Sequence, residues 1–219
     1  MLNFYGRKSP RRVKKKDISK LFIHNFFYHH SNIKNFYKHD LNNPILNLEI
    51  GFGSGENMLK GAVNNINETF IGCDPYLKGA LLLKKKIESL DLKNLILTNL
   101  TFQEFFEYIK HFTFSKILIL FPDPWPKKRH KKRRLISESF LKSLHKICNK
   151  NSNVIISSDD ENYTNDILYR FHLNKNFELS TQFFGEKLIK TFDLVETKYY
   201  KKAKKNKKKA YFFLYNIKK

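Results

Sequence analysis

Residues 46–59 read LNLEIGFGSGENML, a short apolar run that breaks into three glycines and resumes as a helical pattern. Gly51, Gly53 and Gly55 stand directly after the predicted strand because the turn there is tight and the backbone must approach a ligand closely. From this point the chain alternates short apolar runs with helical patterns, the mark of a parallel sheet with crossover helices. Strands are expected at Ile45–Ile50, Thr69–Cys73, Asn94–Leu97, Lys116–Phe121 and Val154–Ser158. Helices are expected at Glu56–Asn65, Leu77–Leu90, Phe102–His111, Arg134–Cys148 and Glu161–Leu173. Two more extended stretches, Phe177–Phe184 and Ala210–Asn216, complete a mostly parallel α/β sheet of seven strands as edge or antiparallel members. Before residue 41 a basic arm leads into Phe22, Phe26, Phe27, Phe36 and Tyr37, whose spacing suits a short amphipathic helix packed on the domain. Residues 1–40 are therefore expected to form an arm and short helical region, and residues 41–219 a single domain.

The glycine spacing is G-x-G-x-G, and Glu56 occupies the place where a dinucleotide fingerprint would put its third glycine. Asp74 ends the second strand, nineteen residues after Gly55, where a carboxylate can accept both ribose hydroxyls of an adenosine. Asp74 alone fits NAD equally well. Glu49, beside the loop, decides for the cationic methionine end of S-adenosylmethionine and against a pyrophosphate. At the end of the third strand Asn99 either meets the adenine edge or caps the next helix.

Charge points to the partner. The 219 residues hold 42 Lys and Arg against 20 Asp and Glu, a net +22, and half of the basic residues lie in three runs, Arg7–Lys16, Lys127–Arg134 and Lys201–Lys209. A polyanion is the expected partner, because each phosphate neutralised releases counterions. Cys73 and Cys148 lack metal spacing and sit in apolar contexts, which suits a reducing cytoplasm, and no metal is expected. No apolar run is long enough for a membrane span. In FPDPWPKKRHKKRR, residues 121–134, Asp123 falls just past the fourth strand, in the crevice where open α/β sheets bind ligands, framed by Pro122 and Pro124. Trp125 could stack on a base or pack beneath the prolines.

LEIGFGSGE together with FPDPWPKKRHKKRR, SSDDENY and a T-x-Y segment at Thr197 resembles the bacterial tRNA (guanine-N7)-methyltransferase family. The resemblance implies a Rossmann-like class I methyltransferase fold with helices on both faces. It also implies methyl transfer from S-adenosylmethionine to nitrogen-7 of the guanine at tRNA position 46; a monomer is expected. It assigns Glu49, Asp74, Asn99 and Asp123 to the cofactor, Asp123 to a catalytic role, and Lys127, Asp159, Thr197, Lys198, Tyr199 and Tyr200 to the tRNA substrate. The basic residues Lys128, Arg129, Lys131, Lys132, Arg133 and Arg134 would hold the RNA backbone.

Two departures from the family pattern remove a carboxylate: Tyr200 replaces the glutamate of T-x-[FY]-E, and Asn99 stands where aspartate is common. One alternative is therefore a weakened or inactive tRNA-binding protein of the same fold. Another is a methyltransferase acting on an exocyclic amine, but Asp123-Pro124-Trp125-Pro126 lacks the second proline of the [DNS]-P-P-[YFW] pattern. A carbon-5 enzyme would need a nucleophilic cysteine, and neither Cys73 nor Cys148 is placed for that.

Overall fold

The structure, a computed structural model, describes residues 15–22, 25–38, 41, 45–184 and 186–218. Most of the basic arm, from Arg7 to Lys14, and the ring of Tyr37 lie outside the described residues. The chain falls into two compact units, residues 1–112 and 113–219.

The first unit runs α1 Lys15–Phe22, β1 Phe27–Tyr28, a 3-10 segment Ile33–Lys38, β2 Leu46–Ile50, α2 Glu56–Asn64, β3 Thr69–Cys73, α3 Leu77–Ser89, β4 Leu95–Thr98 and α4 Phe102–Ile109. Its strands lie in the order β1-β4-β3-β2, all parallel. α4 shows why such segments fold as they do: Phe102, Phe105 and Ile109 recur at helical spacing on the buried face, each worth roughly 1.5–3 kcal/mol. Thr101 and Glu104 close a capping box in front of it. The aromatics ahead of β2 do not share one amphipathic helix, since Phe22 ends α1, Phe27 lies in β1 and Phe36 in the 3-10 segment; Phe27 and Phe36 are buried, and Phe22 and Phe26 half-buried against the core. Phe27 and Leu21 join the cluster formed by Ala80, Leu83 and Ile87 of α3, and Phe36 packs edge-on against Tyr28 and Phe105.

The second unit runs β5 Phe114–Leu120, a 3-10 segment Lys128–Arg133, α5 Glu138–Lys146, β6 Cys148–Ser158, α6 Glu161–Leu173, β7 Phe177–Phe184, α7 Glu186–Thr191, α8 Lys198–Lys205 and β8 Tyr211–Ile217. The order is β5-β6-β8-β7, with β5 and β6 parallel and the other pairs antiparallel. α7, α8 and the segment between them cover this sheet through Leu188, Tyr200 and Leu194, which cluster with Leu120, Phe212 and Leu214.

Three further expectations change. The described residues hold eight strands, not seven, because the two-residue β1 pairs with β4 and is too short to leave a pattern. α5 begins at Glu138, not at Arg134, since Ser137 caps it and the preceding basic residues form the 3-10 segment. The run Lys201–Lys209, whose charge density suits a loop that orders only on RNA, is helical through Lys205 because Tyr200 and Ala203 anchor one side of α8 in the core.

Candidate active site

In the first unit the ends of three parallel strands converge. Gly51 N–H donates to the Cys73 carbonyl at 2.8 Å and Asp74 N–H to the Thr98 carbonyl at 3.0 Å, so the residues after β2, β3 and β4 share one edge. All three loop glycines adopt left-handed φ, +79° at Gly51, +55° at Gly53 and +69° at Gly55, which only glycine occupies cheaply. A side chain at Gly51 or Gly53 would meet nothing within 4 Å, so the loop faces open space there. Gly53 N–H donates to Asp74 Oδ2 at 2.8 Å and Gly55 N–H to the Phe52 carbonyl at 2.7 Å. With the glycine amides turned inward, this loop is no phosphate cradle.

Glu49 is buried, and its Oε2 has no hydrogen-bond partner. Burial first, then the charges of Glu56 and Asp74, push its pKa well above the usual carboxylate range. A buried acceptor beside two more carboxylates is a site for a positively charged donor, which the methionine ammonium of S-adenosylmethionine supplies, its sulfonium adding a second positive charge. Asp74 holds the loop with one oxygen and accepts Tyr76 N–H at 2.8 Å with the other, so any ribose contact would use its remaining lone pairs. Asn99 does not cap α4, because Thr101 does, and its buried Oδ1 is unpartnered, an acceptor suited to the adenine amino group. These residues fit the cofactor. Gly79 supports them without having been singled out from the sequence: a Cβ there would lie 1.5 Å from the Gly53 carbonyl oxygen, so its absence lets α3 seat the loop. A glycine inside an otherwise helical pattern was the available signal.

In the second unit Asp123 follows β5 and Asp159 follows the parallel β6. Asp123 is open to solvent yet close enough to protein atoms for desolvation to raise its pKa. Neither carboxylate has a hydrogen-bond or ion-pair partner among the described residues, whereas neighbouring Asp160 caps α6 by accepting Tyr163 N–H at 2.8 Å. The backbone around Asp123 is strained and overdetermined. Phe121 and Trp125, each before a proline, have φ of +52° and +43°. Phe121 N–H is held by Ser157 O at 3.1 Å and Oγ at 3.2 Å, while its ring stacks with Tyr199 and Tyr200. Trp125 is neither in the core nor free: the Arg133 guanidinium lies 5.0 Å over it and His130 meets it edge-on.

The basic segment divides by burial. Lys127, Lys128, Arg129 and Lys132 are exposed, and Lys131 and Arg133 half-buried. Arg134, expected on the RNA backbone, is only 4% exposed and is spent inside the unit. Its Nε donates to the Pro124 carbonyl at 2.9 Å, its terminal nitrogens to Asp166 at 3.1 Å and Asn162 at 2.8 Å, and its plane lies over Tyr163. It braces the proline loop against α6. Tyr200 is likewise buried, donating its hydroxyl to Glu186 Oε1 at 2.6 Å, so it offers the substrate no free hydroxyl. Thr197 caps α8 through Tyr200 N–H, while Lys198 and Tyr199 stay exposed.

Residues 42–213 match the profile of a family described as "Putative methyltransferase". A tRNA (guanine-N(7)-)-methyltransferase of Wolbachia pipientis is 35% identical over 170 residues, 78% of this chain and 74% of its own length. One from Neorickettsia sennetsu is 32% identical over 166 residues, 76% and 73% of the two chains. The chain belongs to the tRNA (guanine-N7)-methyltransferase family. An antibiotic-related methyltransferase of known structure shares the fold, with a TM-score of 0.55 at 16% identity over 96% of this chain and 98% of its own. Against the family pattern the two departures look different in three dimensions. Asn99 keeps a buried acceptor, and the hydroxyl of Tyr200 brings Glu186 to the motif that lacks its own glutamate. Glu186 was not legible from the sequence, since it lies eleven residues before Thr197.

Proposed function

We propose that this family member transfers a methyl group from S-adenosylmethionine to nitrogen-7 of the guanine at position 46 in the variable loop of tRNA. The observation that carries this reading is Asp123: an unpartnered carboxylate on a strained, proline-framed turn, immediately followed by exposed cations. The cations suit phosphates and the carboxylate suits the base, so opposite charges serve different parts of one substrate.

Bound S-adenosylmethionine would supply the electrophilic methyl group on a positively charged sulfur. Glu49 would hold the methionine end, Asp74 the ribose and Asn99 the adenine. As carboxylates, Asp123 and Asp159 can only accept hydrogen bonds, which matches the adjacent amide and amino donors of guanine and not the edge of adenine, where a donor sits beside an acceptor. Nitrogen-7 already carries a lone pair, so no side chain needs to remove a proton. The carboxylates instead orient the base and offset the positive charge that develops on it. The raised pKa of Asp123 falls toward its ordinary value when a cationic ring or neighbouring lysines approach. Carbon-5 chemistry has no nucleophile here: both cysteines are free, and burial pushes Cys148 up to about 12 and Cys73 higher still.

Incubation with unmodified tRNA and methyl-labelled S-adenosylmethionine, followed by nucleoside mass spectrometry, tests the proposal. The expected product is 7-methylguanosine. Asp123→Asn should lower kcat about a hundredfold or more, in the range seen when a transition-state electrostatic contact is removed. Label in another nucleoside, or none while tRNA still binds, would sink the reading in favour of an amine methyltransferase or a binding protein.

A further inference from the structure

Lys198, Lys201, Lys202 and Lys205 are all exposed and fall at i, i+3, i+4 and i+7 of α8, a single face. Lys204 leaves that face: it pairs with Glu196, lies 3.9 Å from Glu186 and 4.5 Å over the Tyr200 ring. The four stripe lysines have no carboxylate partner among the described residues. This pattern works against the helix. Lys198–Lys202 and Lys201–Lys205 are like-charge pairs one turn apart, and Lys198 sits in a first turn with no acidic residue, against the positive end of the helix dipole. What destabilises a free helix of this kind favours an anion laid along it.

The stripe also starts in the right place. Tyr199, next to Lys198, is 56% exposed and its ring stacks on Phe121, two residues before Asp123. From there the stripe runs about 10 Å along the helix at 1.5 Å per residue. Exposed Lys207, Lys208 and Lys209 follow in the next turn.

We propose that the lysine face of α8 is a second phosphodiester track, which grips the tRNA backbone beside Asp123 in addition to the segment Lys127–Arg133. This rests on tRNA being the substrate. Glutamine keeps helix propensity and an unbranched polar side chain while removing charge, so the variant is Lys201→Gln with Lys202→Gln and Lys205→Gln. Measured by tRNA binding across a salt series, its log Kd against log salt should be shallower by about two, from three contacts at roughly 0.7 each. KM for tRNA should rise tenfold or more while kcat at saturating tRNA holds. The triple arginine variant should keep the wild-type slope, separating lost charge from a damaged helix. Equal slopes and affinities for wild type and the glutamine variant would overturn the track and return the stripe to solvent or to a protein partner. Because the readout is binding, it stands apart from the methylation test: a wild-type protein that methylates tRNA with an indifferent stripe refutes only the track.

Discussion

Glu49 is the residue whose physics is most exposed to experiment. Its folded pKa lies above the ordinary carboxyl value of about 4.3, so the stability it contributes is present at low pH and lost as pH rises through the raised value. Glu49→Gln should therefore make the cofactor-free protein more stable than wild type at neutral pH, with the difference closing toward pH 4 in thermal unfolding. Cofactor binding should show the opposite preference, since the ionised form attracts the cation. Wild-type affinity for S-adenosylmethionine should climb with pH in calorimetric titrations, while the glutamine variant binds about tenfold or more weakly with little pH dependence, as expected for a lost charged hydrogen bond worth about 1.5–3 kcal/mol. A variant that binds like wild type at pH 8 would refute this role. Glu49 was legible because it adjoins a recognisable loop. Arg134 was not, because in the sequence it is one cation among eight residues of a basic run, and only its burial against Asp166 and Asn162 sets it apart.

At the scale of elements, the site depends on how closely helices approach loops. α3 reaches the glycine loop only because Gly79 lacks a side chain. Gly79→Ala would ordinarily favour a helix by about 1 kcal/mol; here the methyl group collides with the Gly53 backbone. The expected outcome is a lower Tm and weaker S-adenosylmethionine binding, with tRNA binding in a gel-shift assay nearly unchanged. Unaltered cofactor affinity would show that the loop can give way. The sequence offered Asn99 as a cap for α4, but Thr101 takes that position, as Asp160 and Thr197 do for α6 and α8. The start of α5 was misjudged because basic residues continue a helical pattern as readily as they end one, and Ser137 decided the boundary.

At the scale of the molecule, +22 is spread over surfaces with different tasks. Lys128, Arg129 and Lys132 stand exposed after Asp123, and Lys201, Lys202 and Lys205 along α8. If these six meet phosphates, tRNA affinity should fall with a log–log salt slope of roughly −4 to −5, at 0.7–0.9 per contact. S-adenosylmethionine affinity should change little over the same range, because Glu49 is buried where salt screens weakly. A shallow tRNA slope in filter binding would mean that most of the charge is solvated. Among the described residues no helix is long and apolar enough to cross a membrane, and no three His, Cys, Asp or Glu side chains gather to hold a metal ion. The succession of β2 to β8 along the chain, the glycine turn, the placing of Glu49 and Asp74 at strand ends and the runs of basic charge were all written locally, in periodicities and spacings that read the same in an extended chain. Which lysines face solvent, that Arg134 and Tyr200 turn inward, that Gly79 abuts Gly53, and that Glu186 meets the T-x-Y segment depend on residues far apart in sequence becoming neighbours. Burial and pairing are properties of that packing, and no spacing along the chain encodes them.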